Sequence, residues 1–208
     1  MTAAIVLAKL PVPGRVKTRL CPPLSPECAA EIATACLRDT LDAIRATPGV
    51  TRRVAVLDRL GEKPPEWMED FEFIDQADGG LDRRLAAAFA AVNEPAVLVG
   101  MDTPQATPND IGHAVIALDT AQSTIGFAPD GGFWIIGLRR PDDRVFIDVP
   151  MSTAQTGAAQ LARLRSLGQE PVVVGEMRDM DSVDDLDYLA VEFPRTRAAQ
   201  MWAPLRVS

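Results

Sequence analysis

Ala3-Ala4-Ile5-Val6-Leu7-Ala8, followed by Lys9-Leu10-Pro11-Val12-Pro13-Gly14-Arg15-Val16-Lys17-Thr18-Arg19-Leu20, decides how this chain is read. The six apolar residues predict a buried strand, and the segment after them predicts an extended loop stiffened by two prolines. Ser25-Pro26-Glu27 then opens a helix, with Ser as N-cap, Pro at the first helical position and an acid in the first turn. That helix extends to about Thr47, because Ile32, Cys36, Leu37, Leu41 and Ile44 keep a helical stripe. A strand, a functional-looking loop and a helix thus come in that order, and the rest of the chain repeats the theme. Strands are predicted at 53–57, 71–74, 96–101, 124–128, 133–138 and 171–174. Helices are predicted at 81–92, 109–119, 153–167 and 182–191, with a short one opening at Pro64-Pro65-Glu66 and carrying Trp67. Ala96–Met101 is continuously apolar, as a strand covered on both faces of a parallel sheet must be. Asp130-Gly131-Gly132 is a turn signal between two strands and predicts a hairpin. The alternation defines an α/β sandwich whose sheet is mostly parallel but mixed.

Composition narrows the function. The 208 residues fit one sizeable domain, and no linker or repeat divides them. The formal net charge of −8 argues against nucleic acid or a membrane surface as partner, since both call for a basic face. No window approaches a membrane span, and the first residues lack the basic leader of a signal peptide. Cys21, Cys28 and Cys36 make a poor disulfide framework and are expected to pack as small apolar groups, so a reduced, cytoplasmic setting is expected. There is a single histidine, His113, within a predicted helix, which sets aside His-based metal sites and most catalytic triads. Any chemistry falls to carboxylates, Lys and Arg.

Those residue types collect in loops. In α/β sheets ligands gather at the carboxyl ends of the strands. Lys9, Arg15, Lys17 and Arg19 place four cations within eleven residues of an acidic chain, which suits a di- or triphosphate. It is not a Walker loop, because Val16 stands where that motif needs Gly. Asp102, Asp130 and Asp181 each follow an apolar run, where a carboxylate can hold a divalent cation completed by water and phosphate oxygens. Each also has a plainer reading, as a turn former or helix cap. Gly79 and Gly80, after another strand, let a base or ribose approach the backbone.

Taken in order, Ala8-Lys9-x-Pro11-x-Pro13-Gly14-x-Val16-Lys17-Thr18-Arg19-Leu20, Gly100-x-Asp102-x-Pro104, Asp130-Gly131-Gly132-Phe133-x-Ile135-Ile136-Gly137-Leu138 and Asp179-x-Asp181-Ser182-x-x-Asp185-Leu186 resemble the DUF2064 family over roughly residues 3–190. These bacterial GT-A-like proteins are commonly assigned as glycosyltransferases, some beside arsenosugar biosynthesis genes. They are similar to the nucleotidyltransferases of molybdenum-cofactor and phospholactate metabolism. The resemblance implies a GT-A (nucleotide-diphospho-sugar transferase) fold over residues 1–193, a C-terminal tail over 194–208, and Mg²⁺ or Mn²⁺ as cofactor. By position, Asp102 and Asp181 match the metal carboxylates. Lys17 and Arg19 match the phosphate-facing loop, to which Ala8, Lys9, Gly14 and Arg15 also belong, and Gly79-Gly80 matches the loop bordering the base. Asp130 falls on the acceptor side, and Lys17, Asp102 and Asp130 are the candidate catalytic residues. Two positions depart from the family pattern: Phe133 replaces the usual Tyr, and Met151 stands where Trp is frequent.

Three functions are therefore in play. The first is nucleotidyl transfer from an NTP to a small phosphorylated or hydroxyl acceptor. The second is glycosyl transfer from an NDP-sugar, and the third is nucleotide binding without turnover. The expected partners are a nucleotide and a small-molecule acceptor. The tail, with Trp202, packs on its own domain or on a partner subunit of a homodimer.

Overall fold

The computed structural model describes residues 1–59 and 61–205. Seven strands form one sheet: β1 (Thr2–Lys9), β2 (Val50–Asp58), β3 (Glu72–Asp75), β4 (Ala96–Gly100), β5 (Ser123–Phe127), β6 (Phe133–Leu138) and β7 (Val172–Val174). Their spatial order is β3-β2-β1-β4-β6-β5-β7. The β1–β2, β1–β4, β2–β3 and β5–β7 pairs are parallel, and β6 runs antiparallel to both β4 and β5. The mixed, mostly parallel sheet is thus as the sequence predicts. The hairpin is also present, although its second strand is inserted between β4 and β5 and so separates them. From β1 the chain steps outward through β2 and β3, then returns to the other side of β1 with β4. That reversal opens a crevice at the carboxyl ends of β1 and β4.

Helices cover both faces. Along β1, Ala4, Val6 and Ala8 face a core shared with α1 (Pro26–Ala46) and α3 (Pro108–Ala117). Ala3 and Ile5 face the opposite core, built with α2 (Leu81–Val92), the 3-10 turn at Asp143–Phe146 and α4 (Thr156–Ser166). The period-two alternation of a pleated strand thus feeds two cores at once. The α1 start is formed as read, with the Ser25 hydroxyl accepting from the Cys28 N–H at 3.2 Å. A third, smaller cluster joins Leu20, Cys36 and Met180 to α5 (Val183–Glu192) and α6 (Arg197–Trp202). Of the tail from residue 194, α6 docks on α1 and α5, with Trp202 buried and its indole N–H donating to Asp187 at 2.9 Å. Arg197 clamps it to Asp39 and Asp42 of α1. The last three residues of that tail lie outside the described residues.

Several predicted elements differ in extent, among them β2, predicted at 53–57 and observed at Val50–Asp58. The helix expected at 153–167 begins at Thr156, because Thr156 Oγ1 donates back to the Pro150 carbonyl and holds the preceding residues in a turn. The short helix near Trp67 is a 3-10 turn, Glu66–Met68. Among the described residues no helix is long and apolar enough to cross a membrane. The three cysteines are free thiols.

The Asp130-Gly131-Gly132 turn packs directly on the segment before α4: a Cβ on Gly131, at φ +89°, would lie 2.0 Å from the Ala154 carbonyl oxygen. Gly14 has a similar φ of +74° with open space around it. Gly14→Ala is therefore expected to cost only the left-handed penalty, about 1–2 kcal/mol. Gly131→Ala adds a backbone clash and is expected to cost about 3 kcal/mol or more. Chemical denaturation of the two variants measures the difference, and equal losses would contradict the close packing.

Candidate active site at the carboxyl ends of β1 and β4

Three buried side chains, Leu10, Val16 and Leu20, shape the basic loop. Leu10 tethers its start, its N–H donating to the Asp58 carbonyl at the end of β2 (3.0 Å). A turn closes from the Arg15 N–H to the Val12 carbonyl, after which Val16 is buried in the core. Leu20, fully buried, pins the far side within the 3-10 turn Thr18–Leu20. Between these anchors Lys17 takes left-handed backbone angles (φ 47°, ψ 38°), which a non-glycine residue adopts only under constraint. Its side chain is turned inward and is only 6% exposed.

The ammonium of Lys17 ends among oxygens. Its Nζ lies 2.6 Å from Asp102 Oδ1 and 2.8 Å from Asp181 Oδ1, and it also donates to the Met180 carbonyl. Burial alone would pull the Lys17 pKa down, but Asp102 and Asp181 outweigh it and hold the amine protonated, above its ordinary value. Asp102 Oδ1 is buried and has no partner besides this ammonium.

A strip running back across the sheet edge brings Asp181 to this point. The Met180 N–H donates to the Asp102 carbonyl (2.7 Å), and Gln105 Nε2 holds the Arg178 carbonyl (2.5 Å). Asp185 finishes the alignment: its Oδ2 accepts from the Asp181 and Ser182 N–H groups at 3.0 and 2.7 Å, while Oδ1 takes the Arg178 guanidinium at 2.6 Å. Ser182 and Asp185 also form the reciprocal capping box of α5.

Two clefts meet at the Asp102–Asp181 pair. One, of about 500 Å³, is lined by Lys9, Arg15, Lys17, Arg19 and Arg84 and by Ala8 and Gln76. The other, of about 440 Å³, is lined by Asp130, Asp179 and Thr153 over a wall that includes Leu85, Phe133 and Trp134. Beyond Gln76 and Arg84 the first cleft continues into a polar hollow of about 600 Å³ bordered by Asp58, Arg59, Lys63 and Asp78. Gln76 marks the passage, donating to the Ala8 and Val56 carbonyls and accepting from Arg84.

Most residues expected from the sequence do converge. Ala8, Lys9, Arg15, Lys17 and Arg19 line the first cleft, Asp102 and Asp181 line both, and Asp130 lines the second. Gly14, Gly79 and Gly80 line neither. Gly79 offers its carbonyl to Arg84 (3.0 Å), and Gly80 is the N-cap of α2. Asp130 also serves its own turn, Oδ1 accepting from the Gly132 N–H at 2.8 Å. His113 belongs to α3 and lines neither cleft. Among the lining or aligning residues that carried no assigned role in the sequence reading are Gln76, Asp179, Arg84 and Asp185. Asp179 and Asp185 stand in the Asp-x-Asp-Ser-x-x-Asp pattern, whereas Arg84 reads as an ordinary helix-surface cation.

The donor set fits a hard divalent cation. Asp102 and Asp181 each place one carboxylate oxygen on the Lys17 ammonium, which leaves their other oxygens as donors, and the charges of Asp102, Asp130 and Asp181 all act on Asp179. Among the described residues no group of three or more His, Cys, Asp or Glu is arranged to hold a metal unaided. The protein would thus supply up to two ligands and leave the others to water and substrate phosphates, the usual pattern for Mg²⁺.

The fold is a GT-A-like α/β fold. Residues 40–153 match the family described as "Uncharacterized protein conserved in bacteria (DUF2064)", and the chain belongs to that family. The matched span contains Asp102 and Asp130, while Lys17 and Asp181 flank it. Among solved structures, a "putative nucleotide-diphospho-sugar transferase" from Desulfovibrio desulfuricans G20 superposes with a TM-score of 0.89 at 22% identity, over 99% of this chain and 95% of that one. A CMP:2-keto-3-deoxy-manno-octonic acid synthetase in complex with CTP gives 0.58 at 12% identity, over 90% and 96% of the two chains. Rv0371c of Mycobacterium tuberculosis H37Rv, in complex with manganese, gives 0.53 at 18% identity, over 90% and 97%. No curated protein matches the chain.

Asp179 carries a measurable signature of the site. Burial, together with the charges of Asp102, Asp130 and Asp181, raises its carboxyl to about 8. In the unfolded chain it ionises near ~3.9. Between these values the unfolded state releases a proton that the folded state keeps, so stability is lost as pH rises from ~4 to ~8. Asp179→Asn in chelator is expected to stabilise the protein at pH 8 by at least about 1.4 kcal/mol, the equivalent of one pKa unit, and by little at pH 4. Thermal melts at the two pH values check this, and a destabilised variant at pH 8 would contradict it.

Proposed function

We propose that the protein is a metal-dependent transferase with a nucleotide donor, and that its reaction is nucleotidyl transfer from a nucleoside triphosphate to a small phosphorylated or hydroxyl acceptor. The observation that carries this reading is the buried Lys17 ammonium between Asp102 and Asp181, at the junction of a cation-lined cleft and a carboxylate-lined one. The solved structures of similar fold include one bound to CTP and one bound to manganese, which supports a nucleotide and a divalent metal here.

In this reading the triphosphate lies along Lys9, Arg15, Lys17, Arg19 and Arg84, with its base toward the hollow beyond Gln76. The acceptor enters from the Asp130 side. Its oxygen forms a bond to the α-phosphorus while the bond from that phosphorus to the bridging oxygen breaks. The electron pair leaves with pyrophosphate, and the acceptor's proton, where it has one, goes to Asp130. A Mg²⁺ or Mn²⁺ ion held by Asp102 and Asp181 would supply Lewis acidity toward the phosphate oxygens. Lys17 has a separate task. Its buried, permanently charged amine is fixed in place before substrate arrives, so it meets developing phosphate charge without reorganising.

Glycosyl transfer from an NDP-sugar is the second reading. It is favoured by the likeness to a nucleotide-diphospho-sugar transferase and by the apolar wall of the second cleft, on which a sugar would lie. Nucleoside triphosphates and NDP-sugars compared in thermal shift, with and without Mg²⁺ or Mn²⁺, separate the two. A ligand at about 100 times its dissociation constant adds ~2.7 kcal/mol. Metal-dependent stabilisation by a triphosphate, with pyrophosphate as product, is the expected result. Stabilisation by an NDP-sugar beyond that of its NDP would favour glycosyl transfer, and silence from every nucleotide would refute both. Asp102→Asn is expected to abolish metal-dependent nucleotide stabilisation while the variant melts cooperatively, and unchanged metal-dependent affinity would show the metal to lie elsewhere.

A further inference from the structure

The Lys17 ammonium is surrounded by protein oxygens before any ligand arrives. Asp102 Oδ1 and Asp181 Oδ1 lie at 2.6 and 2.8 Å, and the Met180 carbonyl accepts from the same nitrogen. An ammonium has three N–H groups, so a phosphate oxygen reaches Nζ only where one of these neighbours gives way. The side chain cannot swing out to meet phosphate elsewhere, because Val16 and Leu20 on either side of it are buried and its own backbone is held in left-handed angles.

The two carboxylates are engaged as well. Asp181 meets Lys17 through Oδ1 and Arg19 Nη1 through Oδ2, the latter at 3.4 Å. Asp102 Oδ1 is buried, yet the side chain as a whole is 36% exposed, so Oδ2 is the oxygen open to the cleft. Two negative charges thus lie directly against two positive ones. The two cations differ in freedom, since Lys17 is pinned while Arg19 is 79% exposed. Asp130, the next carboxylate in the second cleft, is tied to its own turn through the Gly132 N–H.

A free divalent cation therefore meets carboxylates whose charge is already balanced, beside a fixed ammonium that repels it. A free triphosphate meets a lysine whose neighbours are carboxylates and a carbonyl. Arriving together, each relieves the other. The metal balances the carboxylates, Arg19 turns from Asp181 to phosphate, and Lys17 exchanges one protein oxygen for a phosphate oxygen without leaving its place.

The geometry points to Lys17 and Arg19 as a charge lock on the Asp102–Asp181 pair, which keeps free divalent cations out and admits the metal only together with the polyphosphate of the donor. The inference rests on the nucleotide-transferase reading above and gives Lys17 a second role, control of metal entry, besides facing phosphate. Because coupling between two ligands is reciprocal, the same lock weakens binding of the metal-free nucleotide.

The test uses the full chain and needs no turnover. Binding of free Mn²⁺ is followed by its electron paramagnetic resonance signal. Binding of the Mn²⁺ complexes of the α,β-methylene analogues of ATP, GTP, CTP and UTP is followed by calorimetry, and the tightest is carried forward. Lys17→Met is expected to bind free Mn²⁺ at least about tenfold more tightly than the wild type, and the Mn²⁺–nucleotide complex at least about tenfold more weakly. Arg19→Gln is expected to move both affinities in the same two directions, by up to about fivefold, the equivalent of ~1 kcal/mol for an exposed pair. A merely structural defect would weaken both. Changes of one sign, no change, or a wild type that binds free Mn²⁺ as tightly as the nucleotide complex would overturn the inference. Should Lys17→Met fail to melt cooperatively, Arg19→Gln decides, since its side chain is exposed. If no Mn²⁺–nucleotide complex binds the wild type, the transferase reading falls. If one binds and free-metal affinity does not rise in the variants, only this inference does.

Discussion

A single buried ammonium holds the site together. Lys17 sits between Asp102, at the end of the central strand, and Asp181, at the end of a strip that crosses the sheet edge. Without that charge, two carboxylates would face each other at close range beside Asp179 and Asp130, with the exposed Arg19 as the cation left paired to Asp181. Without the carboxylates, a lysine only 6% exposed would have no reason to stay charged. Each element therefore depends on the other. The backbone accepts the left-handed angles of Lys17 because Val16 and Leu20 on either side are locked into the core.

The arrangement also explains why the small third core exists. Leu20, Cys36 and Met180 share it with α5 and α6, so the end of the basic loop and the Asp181 strip rest on the same apolar cluster. The C-terminal helix is clamped to α1 by Arg197 and closed by Trp202, which places it behind the site rather than at its mouth. Facing outward, the crevice separates its charges: cations gather toward the β1 loop and α2, carboxylates toward the β5–β6 turn.

Much of this was legible in the sequence, and the reasons are local. Ser25-Pro26-Glu27 starts α1 as read because capping chemistry acts within three residues, and α2 spans Leu81–Val92 as its periodicity requires. The apolar run at 96–101 could belong only to a central strand, so the loop after it had to reach the carboxyl edge. Less legible were features set by distant partners. The insertion of β6 between β4 and β5 depends on sheet pairing, and its hairpin signal says nothing of the second neighbour. Lys17 is expected to face phosphate, but its burial between Asp102 and Asp181 shows only once the Met180 N–H docks on the Asp102 carbonyl. Gly79 and Gly80 suggested a ligand contact from their flexibility and from the family resemblance. In the structure Gln76 and Arg84 line the cleft and these glycines do not, and no backbone pattern distinguishes those two side chains. The short α6 is too brief for periodicity to announce and is held by tertiary ion pairs.

The central claim is that Asp102 and Asp181 share a divalent cation at the point where Lys17 meets the donor's phosphates. A crystal structure with Mn²⁺ and a non-hydrolysable nucleoside triphosphate, read from the anomalous signal of manganese, tests it most directly. The account predicts a manganese peak bonded to a carboxylate oxygen of each residue at roughly 2.1 Å, with phosphate oxygens completing its shell and one of them on Lys17 Nζ. Manganese bound away from this pair, or phosphates lying outside the cleft of Lys9, Arg15 and Lys17, would contradict it.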